Sequence, residues 1–264
     1  MRLKIAVELD YLIEPAADVL LQVEVAALPD QRLVHNDLRV SAGGPLTAVP
    51  GDDGIGQRTW APMVRILQVN YDAVVDVVRP IVDLSVLPAT PPSAMPAVTV
   101  PYLLPSRYCE VERFEPFVRA QWPGLRGGAL AAAIVDWVGR NLEYRANESS
   151  GTTTAADTMR TRRGVCRDYA HLVVALARAG EIPARCVSAY APGVDPPDFH
   201  AVAELWLDGA WHLVDATGMS ACGDLARVVV GRDATDIAFM TAFAAATLYR
   251  QTVSVRRIEQ EPAG

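Results

Sequence analysis

Between Arg163 and Asp215 stand three residues whose types and order could do covalent chemistry. Cys166 follows Gly164 and Val165, His200 follows a breaker-rich loop, and Asp215 closes an apolar run. A thiol, an imidazole and a carboxylate supply a nucleophile, a base and a group that orients the base. Such a set attacks an amide carbonyl through a thioester, so the expected chemistry is acyl transfer to water or to an amine. The reactive form of cysteine is the thiolate, which a helix N-terminus favours through its unpaired N–H groups and dipole. The chain offers that helix. Leu172, Val173, Leu176 and Ala177 recur at helical spacing, and Gly180 and Pro183 stop the run, which predicts a helix from Cys166 to Ala179. Arg162, Arg163 and Arg167 add positive charge nearby, whereas Asp168 favours the helix and opposes a thiolate. A free cysteine is more often a buried, inert hydrophobe, so the argument depends on its partners.

The partners come from a hairpin. The apolar-rich runs 201–207 and 211–214 are separated by Asp208-Gly209, a strong signal for a two-residue turn. With those two residues as the turn, Leu207 faces Ala210, Val202 faces Asp215 and His200 faces Thr217. Side chains alternate with a period of two, which puts His200 and Asp215 on one face as diagonal neighbours, and His212 on the other. A one-residue slip would separate them. His171 is a rival base, but five positions along the nucleophile helix it points away from the sulfur. Asp195 and Asp198, in the loop before His200, are rival carboxylates that reach the ring only if the loop folds back. A metal site is disfavoured because no Cys-x-x-Cys spacing occurs and Cys109, Cys186 and Cys222 stand far apart. The Cys166 backbone N–H is a reasonable oxyanion donor; the sequence identifies no second one.

The stretches GVCRDYAHL (164–172), IPARCVSAY (182–190) and HAVAELWLDGAWHLVDATG (200–218) together resemble the bacterial transglutaminase-like proteins of the papain-like thiol enzyme superfamily. PYLLPSRYCEVERF (101–114) looks like that family's junction between domains, and GRDATDIAF (231–239) like its region after the aspartate. The resemblance spans nearly the whole chain and implies that the N-terminal part is the family's small β domain. It implies Cys166 as nucleophile, His200 as general base and acid, and Asp215 as the orienting carboxylate. It also implies a peptidase or amidase more readily than a protein cross-linker. A transferase with the same triad is the alternative, and a catalytically idle binding module the third reading.

Composition sets outer limits. The chain has 264 residues, 51% of them hydrophobic, enough for one large or two small cores. A net charge of −7 argues against nucleic acid or an anionic membrane as partner. Lys4, Glu8 and Asp10 interrupt any apolar stretch near the start, so no signal peptide is expected, and four cysteines without paired spacing fit a reducing cytoplasm. The expected substrate is a peptide or protein amide, with no cofactor and no metal; the sequence is silent on oligomeric state.

The elements that must position these residues form an α+β pattern. Residues 1–87 read as an antiparallel β-sandwich: Leu3, Ile5, Val7, Leu9 and Tyr11 alternate with polar residues, as do Val19, Leu21, Val23 and Val25, and 66–78 adds one or two strands. Its one histidine, His35, lies in a polar stretch and reads as solvated. Residues 88–108, with six prolines, read as an extended linker. Residues 109–264 read as a papain-like, transglutaminase-like core: a helix over 127–144, a short helix capped by Thr152 to Thr154, the cysteine helix, the strand after Pro183, the hairpin, a strand over 227–230, a helical patch at 238–243 and a closing strand over 251–258.

Overall fold

A computed structural model describes residues 1–259; residues 260–264, the last of the expected core, lie outside the described residues. The chain opens with β1 (Arg2–Leu21), β2 (Gln31–Val40), β3 (Thr47–Pro50) and β4 (Gln57–Val77). In β1 the residues Leu3, Ile5, Val7, Leu9 and Ile13 are fully buried while Lys4 and Glu8 between them reach solvent, the period-two pattern of a half-covered sheet. The two alternating segments expected at 3–11 and 19–25 are therefore one strand, which ends before Gln22. β4 runs antiparallel along β1, and β2 and β3 each pair with one end of β4. β2 has no counterpart in the sequence reading: half of its residues are exposed, His35 among them, and no apolar alternation marks it.

Residues 88–108 differ from the expected spacer. Pro92–Ala94 and Ala97–Tyr102 form short 3₁₀ turns, since proline fits the first turn of a helix as well as an extended chain. Tyr102 is buried and donates to Asp53 Oδ2 at 2.7 Å, which pins the segment to the protein.

The core follows with α1 (Glu115–Gln121), α2 (Gly127–Asn141), β5 (Glu143–Tyr144), α3 (Ala155–Thr161), β6 (Arg163–Gly164) and α4 (Cys166–Ala179). Thr154 caps α3, accepting from the Asp157 N–H at 3.3 Å. Next come β7 (Ala184–Tyr190), β8 (His200–Leu207), β9 (Ala210–Val214) and β10 (Ala226–Gly231), an antiparallel sheet in the order β10-β7-β8-β9. Helix α4 carries Leu172, Val173, Val174 and Leu176 with no more than 1% exposed and packs on this sheet.

The end of the chain departs from the expected layout. The helical patch comes early, as α5 (Ala234–Ile237), and 240–242 form β11 (Met240–Ala242) instead. The closing strand β12 (Ala245–Ile258) pairs with β1, as β11 does, and not with the core sheet. Two of the six strands in the first sheet thus come from the C-terminal end, and the sequence divisions at 87 and 109 do not divide the fold. The physical reason is the second edge of β1, whose N–H and C=O groups need partners that the N-terminal strands do not supply. Tyr71 of β4 stacks on Tyr190 of β7 at 6.3 Å, and the Tyr190 hydroxyl donates to Val23 O at 2.6 Å, so one apolar core joins both sheets.

A buried charge chain reinforces that junction. Glu204 on β8 accepts from Arg185 Nε at 2.8 Å and from Arg227 Nη1 at 2.7 Å; Arg185 also reaches Asp53, and Arg227 reaches Asp30. Each buried ion has its counter-ion and hydrogen bonds, the condition under which burial is tolerated.

Candidate active site

Cys166 is the first residue of α4, His200 the first residue of β8, and Asp215 follows the last residue of β9. The hairpin register is Leu207 with Ala210, Trp206 with Trp211, Leu205 with His212, Glu204 with Leu213 and Ala203 with Val214. Asp208 and Gly209 hold φ of 49° and 76°, the left-handed pair that a primed turn requires. His200 and Asp215 therefore meet: Nε2 lies 2.8 Å from Asp215 Oδ2, and both side chains are almost fully buried.

Asp215 is held in turn. Its Oδ1 accepts from the Thr217 N–H at 2.9 Å and the Thr217 hydroxyl at 2.6 Å, and the Ser220 N–H points at Oδ2 from 3.4 Å. This Asx-type turn fixes the carboxylate before the histidine binds it. The Asp-x-Thr spacing that makes this turn is visible in the sequence. Burial pushes the Asp215 carboxyl up, yet His200 and Thr217 outweigh it and hold it below the usual carboxylate value. Burial likewise opposes a charged His200, but the Asp215 hydrogen bond and the neighbouring Cys166 raise its pKa to about 9. With Nε2 taken by Asp215, the interaction with Cys166 falls to Nδ1, which is buried and has no hydrogen-bond partner among the described residues. A ring nitrogen left unpartnered in a buried site is free to exchange a proton with a neighbouring group.

The Cys166 position is shaped by its neighbours. Asp168 folds back so that Oδ2 accepts from the Val165 N–H at 2.8 Å. A Cβ on Gly164 would lie 2.6 Å from Asp168 Oδ2, so glycine is what lets this carboxylate close over the turn. Of the three arginines expected to add charge, only Arg167 lines the cleft, its Nη2 donating to Ser149 Oγ and to Ser150 O at 2.7 Å. Arg162 lies over the Trp137 ring at 4.4 Å, and Arg163 pairs with Glu143 and Glu148.

The rival residues are placed elsewhere. His171 is buried, stacked on Tyr108 at 5.0 Å, and its Nε2 accepts from the Ala234 N–H; burial lowers its pKa to about 3. His212 contacts Leu207 O at 3.1 Å. Asp198 accepts from the Phe199 N–H and Gln251 Nε2, and Asp195 is exposed. Cys109 and Cys186 are buried; burial pushes the first to about 12 and the second well above the ordinary thiol value. Cys222 is also raised, by burial and by Asp215. Cys166 is half-buried and opens on a cleft of about 420 Å³, whose apolar wall is Phe199 stacked on Phe239 at 4.3 Å, with Ile237 and Met240. Among the described residues no cluster of three or more His, Cys, Asp or Glu could hold a metal, and no helix is long and apolar enough to cross a membrane.

Tyr144, read from the sequence as the end of the helix over 127–144, lies instead in β5 and is a further member of the site. Its hydroxyl lies beside the Cys166 N–H and thiol, placed there by the pairing of β5 with β6.

Known proteins share this arrangement of elements. Residues 124–216 match the model of the transglutaminase-like superfamily. A crystal structure of a candidate cysteine protease from Cytophaga hutchinsonii is 29% identical and superposes with a TM-score of 0.91, over 100% of this chain and 92% of that one. An uncharacterized protein of Mycobacterium leprae is 31% identical over 121 residues, which is 43% of this chain and 43% of the relative. The chain thus spans less than half of that curated relative. With a cysteine helix packed on an antiparallel sheet, residues 124–216 form a transglutaminase-like domain, and the whole chain is similar in structure to that candidate cysteine protease.

Proposed function

We propose that the protein is a cysteine peptidase or amidase acting through Cys166, His200 and Asp215. The observation that carries this is the buried His200 ring, bound to Asp215 through Nε2 and left with an unpartnered Nδ1 for the half-exposed Cys166. With its pKa at about 9, His200 holds a proton at neutral pH and sets a positive charge beside the sulfur. The thiolate attacks the amide carbonyl, and the C–S bond forms as the carbonyl electron pair moves onto oxygen. Collapse breaks the C–N bond, with His200 giving its proton to the leaving amine. His200, now neutral, takes a proton from water, whose oxygen displaces the sulfur and releases the acid.

The full-length likeness to a candidate cysteine protease supports the hydrolytic direction. The substrate on this reading is a peptide or protein amide lying in the cleft along Phe199 and Phe239. Digestion of a peptide library, with free amines counted, tests the proposal: cleavage without an added amine acceptor supports it. Release that occurs only when an amine acceptor is supplied makes the protein a transferase and overturns the hydrolytic assignment. Cys166→Ala is expected to lose both turnover and rapid labelling by iodoacetamide; retention of fast labelling would move the nucleophile to another cysteine.

A further inference from the structure

Besides His200, two charged side chains line the Cys166 cleft, Arg167 and Asp198. His200 and Arg167 each face a buried carboxylate, Asp215 at 2.8 Å and Asp168 at 3.3 Å, and Arg167 Nη2 also donates to Ser149 Oγ and Ser150 O. Asp198 has no such balance. Its Oδ1 accepts from the Phe199 N–H and from Gln251 Nε2, both at 2.7 Å, and both donors are neutral. Its Oδ2 has neither a hydrogen-bond partner nor a cation within ion-pair distance among the described residues. The carboxylate is nonetheless held in place, because Gln251 on β12 accepts in turn from the Tyr11 hydroxyl on β1 at 3.3 Å. Asp198 also borders a second hollow of about 320 Å³, between residues 191–197 and β12, and is the one residue that lines both spaces. Arg256 stands in that hollow and disfavours a second cation there, which leaves the cleft side of Asp198 to take one.

We propose that Asp198 is a specificity-determining residue, its second oxygen binding the cationic side chain of a lysine or arginine beside the scissile amide, so that the substrates are basic peptides. The inference rests on the peptidase reading above. A lysine or arginine fits the rest of the cleft as well as its charge fits Asp198. The stacked rings of Phe199 and Phe239 offer apolar surface to the aliphatic stem and a π-face to the charged end. The net charge of −7 draws the same substrates from a distance. Asp198 is exposed, so water screens the pair. Its strength falls between a screened surface ion pair and a charge-assisted hydrogen bond, which sets the expected preference at about five-fold or more.

Methanethiosulfonate reagents of opposite charge read the cleft without a substrate. The Cys166 thiolate attacks the thio sulfur, forms a mixed disulfide and expels methanesulfinate, whether the reagent carries a trimethylammonioethyl or a sulfonatoethyl group. Rates are taken relative to Cys166→Ala, which removes the background of the half-buried Cys222. Asp198→Asn keeps the shape and an acceptor oxygen for Gln251 while removing the charge. Its ratio of cationic to anionic rate constants is expected to fall about five-fold or more below that of the wild type. In Asp195→Asn, whose exposed carboxylate lines neither space, the ratio is expected to stay within about two-fold. An unchanged ratio in Asp198→Asn, or an equal fall in Asp195→Asn, would overturn the proposal. Digestion of a peptide library is expected to favour Lys or Arg at one position beside the cleaved bond, and Asp198→Asn to lose that preference; cleavage with no such preference overturns the proposal as well. A library left uncut fails the peptidase reading instead, and the thiol ratio still decides whether Asp198 draws a cation to Cys166.

Discussion

Replacing Asp215 by Asn tests the coupling at the centre of the site. The pKa of His200 stands at about 9 against an ordinary 6.5, although burial alone would lower it. A difference of roughly 2.5 units corresponds to about 3 kcal/mol favouring the protonated ring, at 1.36 kcal/mol per unit, with Asp215 the first of the groups that oppose burial. The sign follows from linkage. A histidine raised on folding adds stability that is fully present below about pH 6.5 and is lost as pH rises through about 9. Wild-type protein is expected to lose up to about 3 kcal/mol from this source between pH 6 and pH 10. In Asp215→Asn the largest of the groups that oppose burial is gone, so the midpoint falls and that loss shrinks. The buried thiols Cys109 and Cys186 also cost stability at high pH, because the unfolded chain releases their protons first. They do so equally in both proteins, so the quantity to follow is the difference between the two urea-stability curves. The His200 ring should be titrated by NMR on the same samples. Turnover is expected to fall about 10²–10⁴-fold, because Asn no longer fixes the imidazole tautomer or stabilises its charge. A ring that still titrates near 9 in Asp215→Asn, with an unchanged pH slope, would refute the assignment of Asp215 as the orienting carboxylate.

Asp208→Asn keeps the left-handed turn that Asp208 and Gly209 form and is expected to change stability by less than about 0.5 kcal/mol, with activity intact, as measured by denaturation and turnover. Gly164→Ala forces a methyl to within 2.6 Å of Asp168 and is expected to cost roughly 1–3 kcal/mol while slowing Cys166 alkylation; a wild-type melting curve would contradict the packing described. Glu204→Gln leaves Arg185 and Arg227 buried without their shared anion and is expected to destabilise the protein by about 3–5 kcal/mol in urea titration. His171→Gln is expected to lower stability but leave the pH profile of Cys166 alkylation unmoved, since His171 is neutral near pH 7 and accepts from the Ala234 N–H.

What the sequence made legible was local. The cysteine helix runs from Cys166 to Ala179 as its apolar spacing and Gly180 indicate, and Asp208-Gly209 set a register that reaches from Leu207 back to Ala203. The meeting of His200 with Asp215 follows from that register and the alternation of a strand. The remainder depended on contacts with no local signal. β12 pairs with β1 across most of the chain, and an exposed edge strand carries little pattern to announce it. Tyr144 reaches Cys166 through a two-residue parallel ladder too short to leave any periodicity. The prolines of 88–108 were legible as breakers, but not the burial of Tyr102 among them, because its partner Asp53 lies far back in the chain.

The site is divided between a helix and a sheet, so its geometry depends on how closely those two layers approach. Cys166 is carried by α4, while His200 and Asp215 are carried by the β8–β9 hairpin. The core that joins the two layers includes small buried residues, Ala175 and Ala177 on the helix and Ala184 and Ala203 on the sheet. Larger side chains there would fill the same area from farther apart and would lift the sulfur from the ring. A catalytic contact tolerates displacements of well under an ångström before rate is lost, whereas a core tolerates volume changes at a cost of about 1–3 kcal/mol. The buried chain of Arg185, Glu204 and Arg227 lies across β7, β8 and β10 and resists sliding of one strand against the next. It fixes the strand positions by directional hydrogen bonds, which apolar packing alone does not do. On this view the charge network earns its place through alignment of β8, and thereby of His200, more than through net stability.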